Sequence, residues 1–192
     1  MQGVDRFLIV RYSSRLFASK WALQRGVSRT VLDLTAGWGR TQKPYLDAGF
    51  QVVGVDKDAA AKGATFHMRA ERFIEQQETL PFGVIDFEPY GMATAILSTL
   101  FENSAKLEPP VVLCVGCNPR NVVLRVGSRT NWWDHLRSDY PHVLASFGMR
   151  QLETLFSESI KTRAKEVGLT FTLGENFKEP DMRKLMCVGL LE

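Results

Sequence analysis

Thr30-Val-Leu-Asp-Leu-Thr-Ala-Gly-Trp-Gly39 is an apolar run that ends in a glycine turn, and its reading decides the fold. Residues 30–35 are rich in β-branched and leucine side chains and predict a strand. Gly37 and Gly39 follow at once, where a tight turn favours residues without a Cβ. A helix is predicted over 40–48, stopped by Gly49. Gln51-Val-Val-Gly-Val-Asp56 predicts a second strand that stays apolar until its terminal aspartate. Strand, glycine turn, helix and strand open a parallel sheet covered by helices.

The alternation continues outward. Residues 65–68 predict a weaker third strand, 82–86 a fourth, and 92–101 a small apolar helix. Pro109-Pro110 introduces a fifth strand over 111–115, closed by Gly116. Residues 132–167 read as mostly helical, with a break near Tyr140-Pro141. Residues 169–173 and 185–191 predict two strands joined by a charged loop. Late strands with no helix between them imply an antiparallel hairpin at a sheet edge. Tyr12 to Arg25 predicts an amphipathic helix, part of an N-terminal helical extension (1–29) packed on the domain. The expectation is a three-layer, Rossmann-like α/β fold, a mostly parallel seven-stranded sheet ending in an antiparallel hairpin. No repeat, linker or low-complexity tract divides residues 1–192, so one domain is expected.

Composition narrows the class. Hydrophobic residues make up 45% and charged residues 23% of the 192 positions, which places the chain among globular proteins and not disordered ones. The run 111–116 falls far short of the ~20 residues that span a bilayer. Asp5, Arg6 and Arg11 flank Phe7-Leu-Ile-Val10 too closely for a signal peptide, so a cytoplasmic location is expected. Three cysteines cannot close a disulfide framework. Cys114-Val-Gly-Cys117 has a spacing able to bind zinc or do redox work. It lacks a second such pair, and His67, His135 and His142 complete no familiar ligand set. Buried structural thiols and no metal are expected. The net charge of +3 permits nucleic-acid binding without establishing it.

Open α/β sheets bind ligands beyond the carboxyl ends of their strands. Gly37 and Gly39 fall there, and Asp56 ends the second strand about 17 residues later, where a carboxylate can hold ribose hydroxyls. A nicotinamide site would favour G-x-G-x-x-G, but Gln42 stands at the third glycine. Asp33 adds a carboxylate suited to the amino and sulfonium groups of S-adenosylmethionine, and unsuited to a pyrophosphate.

Asp33-Leu-Thr-Ala-Gly37-Trp-Gly39 followed by Val53-Gly-Val-Asp56 resembles the first two motifs of class I S-adenosylmethionine-dependent methyltransferases. Their usual form is D/E-x-G-x-G-x-G, so Thr35 replaces the first glycine. The resemblance covers residues 30–117 and the order of their strands. It implies an enzyme with S-adenosylmethionine as cofactor, contacted by Asp33, Thr35, Ala36, Gly37, Gly39, Asp56 and Lys57. It also places Ala70 and Glu71 near the adenine, and Trp38 is expected to wall the pocket.

Asp86-Phe-Glu-Pro-Tyr-Gly91 ends the fourth strand. It is similar to the D/N/S-P-P-Y/F/W motif of amino-methyltransferases. More closely, it resembles the D-x-D-P-Y/F-G motif of tRNA guanine exocyclic-amine dimethyltransferases, with Glu88 replacing the second aspartate. The resemblance implies catalytic roles for Asp86, Glu88, Pro89 and Tyr90. Glu88 and a carbonyl near Pro89 would accept the target N–H bonds, while Tyr90 stacks on the base. Beyond the fifth strand, Arg120, Arg125, Arg129, Trp132 and Trp133 interleave cations with aromatics, as phosphate and base contacts require. Arg183 and Lys184 read as a solvated hairpin. The expected activity is methylation of an amino nitrogen of a nucleic-acid base, RNA before DNA. Protein or small-molecule methylation, and a non-catalytic S-adenosylmethionine- or RNA-binding subunit, are the alternatives. The acceptor and the oligomeric state stay open.

Overall fold

The computed structural model describes residues 6–89, 93–117, 151–178 and 184–192. Alternation along the strands builds the layers. In β5 (Val111–Cys117), Val111, Leu113, Val115 and Cys117 join one apolar cluster, while Val112 and Cys114 join the other. Successive side chains of a strand point to opposite faces, so a fully buried strand must feed two cores.

Seven strands form one sheet in the order β3-β2-β1-β4-β5-β7-β6. These are β1 (Thr30–Asp33), β2 (Gln51–Asp56), β3 (Phe66–His67), β4 (Val84–Phe87), β5, β6 (Phe171–Lys178) and β7 (Leu185–Leu191). β1 to β5 run parallel, and β7 is antiparallel to both β5 and β6. The expected seven-stranded sheet and its terminal hairpin are present. Strand order reverses between β1 and β4, which opens a crevice at their carboxyl ends.

One face is covered by α1 (Arg6–Arg25) and α2 (Lys43–Asp47), through Ala18, Ala22 and Tyr45. The other carries α3 (Ala70–Gln76), α4 (Thr94–Glu102) and α5 (Gln151–Glu166), through Ile74, Leu97, Leu100 and Ile160. α1 lies against β4, β5, β6 and β7. Its fully buried positions are Ser14, Arg15, Ala18, Ser19 and Ala22, and Val10, Phe17 and Trp21 pack partly buried beside them. Small side chains let the helix approach the sheet closely. The serine hydroxyls are satisfied within the helix, Ser14 donating to the Arg11 carbonyl and Ser19 to that of Leu16.

Several boundaries move for local reasons. α2 starts at Lys43 instead of residue 40, because the chain is still turning through Gly39 and Pro44 suits only a first helical turn. β6 runs to Lys178 where 169–173 was expected. Its register shifts between Leu173 and Glu175, and the polar Glu175, Asn176 and Lys178 are tolerated on an edge strand. Cys114, Cys117 and Cys187 are free and buried, and burial pushes the Cys117 thiol up to about 12. Among the described residues, no helix is long and apolar enough to cross a membrane.

Candidate active site

The crevice is a cleft of about 570 Å³ at the ends of β1, β2 and β4. Thr35, Ala36, Gly37, Asp56, Lys57, Ala70, Glu71, Glu88 and Pro89 line it, nine of the twelve expected site residues that fall among the described residues. Asp33, Gly39 and Asp86 do not line it. Tyr90, Arg120, Arg125, Arg129, Trp132 and Trp133 lie outside the described residues.

The floor is built by the glycine turn. Gly37 and Gly39 adopt φ of +49° and +75°, and a Cβ on Gly39 would sit 3.1 Å from the Cα of Gly63. The Gly37 amide donates to Asp56 Oδ2 at 2.9 Å, and the Asp58 amide donates to Asp56 Oδ1 at 2.9 Å. Two backbone donors thus fix the carboxylate, and each oxygen keeps acceptor capacity for a ligand hydroxyl. Trp38, 62% exposed between the glycines, walls the cleft and carries Lys62 Nζ 5.6 Å from its ring.

Two departures from the motif acquire physical reasons here. Thr35, in place of a glycine, accepts a hydrogen bond from the Glu88 amide at 2.7 Å and ties the end of β1 to the residue after β4. Gln42, at the position of a third glycine, donates to Asp33 Oδ2 and to the Gly63 carbonyl. Asp33 is therefore the anchor of the turn. Its other oxygen takes the Thr35 amide, and the side chain is buried. Burial first, then the neighbouring Asp86 charge, pushes its pKa up to about 7, with Arg15 and Gln42 opposing.

Asp86 is likewise behind the cleft. Its Oδ1 accepts from Arg15 Nη2 at 2.9 Å and its Oδ2 from the Tyr45 hydroxyl at 2.7 Å. Arg15 Nε lies 2.7 Å from Oδ2 without the alignment of a hydrogen bond. Arginine stays charged in a protein, and the pair is sealed at 2% and 0% side-chain exposure.

Glu88 reaches the cleft, and Gly116 makes room for it: a Cβ there would fall 2.4 Å from Glu88 Cγ. Its Oε1 is 2.7 Å from Arg11 Nε and 2.6 Å from Lys184 Nζ, and its Oε2 is 3.6 Å from Arg15 Nη1. Burial is the largest influence and raises its pKa. Arg15, Lys184 and Arg11 together outweigh it and hold the carboxyl below the ordinary glutamate range. Lys184 is thus a buried ion-pair partner, which corrects its reading as a solvated hairpin residue. Arg11 and Arg15 were not anticipated either. Their i, i+4 spacing puts them on one face of α1, but only the sheet order brings that face to Glu88.

No protein-family model and no curated protein sequence matches the chain. Solved structures do resemble it. Trm1 from Pyrococcus horikoshii, in complex with S-adenosyl-L-methionine, aligns with a TM-score of 0.64 at 12% identity over 96% of this chain and 55% of that one. The chain has the class I methyltransferase fold. The plantazolicin methyltransferase BamL, with S-adenosylhomocysteine and a triazolic analogue of its substrate, aligns at TM-score 0.58 and 17% identity, over 96% and 85%. The 16S rRNA N2 methyltransferase RsmC of T. thermophilus, with AdoMet and guanosine, aligns at 0.50 and 18%, over 91% and 42%. The chain therefore spans about half of the Trm1 and RsmC chains. These neighbours share the methyltransferase fold and differ in what they modify.

Proposed function

We propose that the chain is an S-adenosylmethionine-dependent methyltransferase acting on an amino nitrogen of a nucleic-acid base, RNA before DNA. The observation that carries this reading is one cleft holding both halves of the reaction. The Gly37 turn with its oriented Asp56 lies on one side, and Glu88-Pro89 on the other. The residues fit the cofactor: Asp56 offers acceptors to ribose hydroxyls, and Ala70 and Glu71 border the region where adenine would lie. Bound S-adenosylmethionine would supply an electrophilic methyl group at Glu88-Pro89.

The protein's own share is positioning. An exocyclic amine is a weak nucleophile, because its lone pair is delocalised into the ring. A carboxylate that accepts one of its N–H bonds localises that pair. Glu88 suits this task because its neighbouring cations keep it ionised and fixed through Oε1, while Oε2 lies 3.6 Å from Arg15 Nη1. Being a weak base, it orients the amine, and the proton leaves after the methyl is transferred. Trp38 at the mouth, with Lys62, offers a stacking face and a cation to a flipped-out nucleotide.

Calorimetry with S-adenosylmethionine, S-adenosylhomocysteine and NADH tests the cofactor. Micromolar binding of the first two alone is expected, and preference for NADH would sink the reading. Asp56→Ala should weaken S-adenosylhomocysteine about tenfold or more, the loss of a hydrogen bond to a charged acceptor. For the nucleic acid, replacing Arg120, Arg125 and Arg129 together should lower affinity for unmodified RNA. It should also flatten the dependence of log K on log salt by up to about three phosphate contacts. Turnover insensitive to salt would favour a small-molecule acceptor instead.

A further inference from the structure

Positive side chains outnumber carboxylates where β4 ends. Arg11, Arg15 and Lys184 face Asp86 and Glu88, and Arg15 is committed to Asp86. Asp33 is the next acid, but it is tied to Gln42 and the Thr35 amide and makes no salt bridge with a described residue. Burial and the Asp86 charge also keep it partly protonated near neutral pH. Lys184 already satisfies Glu88 Oε1 from inside the fold, at 2.6 Å and 9% side-chain exposure. Arg11 is the surplus cation.

Its geometry is that of a group with a free end. Nε is fixed on Glu88 at 2.7 Å, whereas neither terminal nitrogen has a hydrogen-bond partner among the described residues. The side chain is 23% exposed, against 2% for Arg15, and it borders the cleft. A guanidinium held at Nε presents its two terminal nitrogens as a planar fork matched to a carboxylate. Across β1, the cleft is lined by Asp56 at the end of β2 and by a mixed set of charges, Lys57, Asp58, Arg69 and Glu71, and Asp56 is the acceptor for the sugar end in the reading above. A ligand with a sugar at one end and a carboxylate at the other would therefore enter in a single direction.

We propose that Arg11 holds the carboxylate of the ligand's amino-acid end through its two terminal nitrogens, while its Nε stays on Glu88. The inference rests on the cofactor reading above. It makes α1 part of the binding site as well as a layer of the fold. It also couples cofactor capture to the carboxylate that orients the acceptor.

The test is a calorimetric cycle: wild type and Arg11→Gln, each titrated with S-adenosylhomocysteine and with its decarboxylated analogue. Wild type should prefer the carboxylate-bearing compound about tenfold or more, as expected for a charge-assisted hydrogen-bonded pair. Arg11→Gln should lose that preference and bind the decarboxylated analogue as wild type does. If Arg11→Gln melts too early to titrate, Arg11→Lys keeps the charge without the fork and should retain only part of the preference. A variant with the full wild-type preference overturns the role of Arg11 and leaves the cofactor reading intact. Wild type that binds neither compound overturns both.

Discussion

Arg15→Met is expected to destabilise the fold by about 3–5 kcal/mol, the cost of leaving a buried charge without its partner. For a chain of this size that lowers the melting temperature by about 6–20 °C. The side chain is 2% exposed and, among the described residues, supplies the only guanidinium bonded to Asp86. Without it, the Asp86 carboxylate keeps one hydrogen bond among the described residues, from Tyr45, in a site that already contains Asp33. Burial raises the Asp86 pKa and Arg15 opposes that rise, so removing Arg15 pushes it higher. A carboxyl whose folded-state pKa is raised binds more protons folded than unfolded above its ordinary pKa. Stability then falls as pH rises, so the deficit of Arg15→Met should be larger at pH 8 than at pH 5. Adding Asp86→Asn should recover part of the loss, since a neutral amide removes the orphaned charge. Denaturant melts of the two singles and the double at both pH values read all of this. A deficit under about 1 kcal/mol, or one independent of pH, would mean that water or rearrangement replaces the guanidinium.

The contrast between Asp86 and Arg15 also explains what could be read before folding and what could not. β5 is legible over 111–115, because a short β-branched apolar run after Pro109-Pro110 suits a buried strand, and it continues to Cys117, where both faces stay covered. The glycine turn and Asp56 are equally visible, since their chemistry is local: Gly37 and Asp56 touch through one backbone amide. The ion network is not local. Residues 11, 15, 86, 88 and 184 meet only because β7 inserts beside β5 and α1 lies across them. No spacing rule encodes that meeting, and an arginine on a helix ordinarily reads as solvated. Motif likeness therefore identified Asp86 and Glu88 as a pair, whereas folding separates them. Asp86 faces inward as the socket for α1, and only Glu88 faces the cleft.

Glu88→Gln is expected to lower methyl transfer by about 100-fold or more, the scale on which mispositioned reacting groups lose rate. The amide matches the carboxylate in size, so Gly116 still accommodates it and packing is kept. What changes is charge. Glutamine is a weaker acceptor for the target amine, and it leaves Arg11 and Lys184 without their counterion. Arg11 remains at the cleft to meet the carboxylate of the ligand's amino-acid end, so S-adenosylhomocysteine should bind the variant about as tightly as wild type. A lost rate with retained cofactor affinity is hard to produce by unfolding, which would weaken both. Glu88→Asp sharpens the point. It restores the residue usual in the resembling motif but withdraws the carboxylate by about an ångström from Arg11 and Lys184. If reach matters more than charge, this variant should also be slow, although it is fully anionic. Wild-type rates in Glu88→Gln on unmodified RNA would remove Glu88 from the reaction. The three cations would then be left as a device for holding α1 to the sheet.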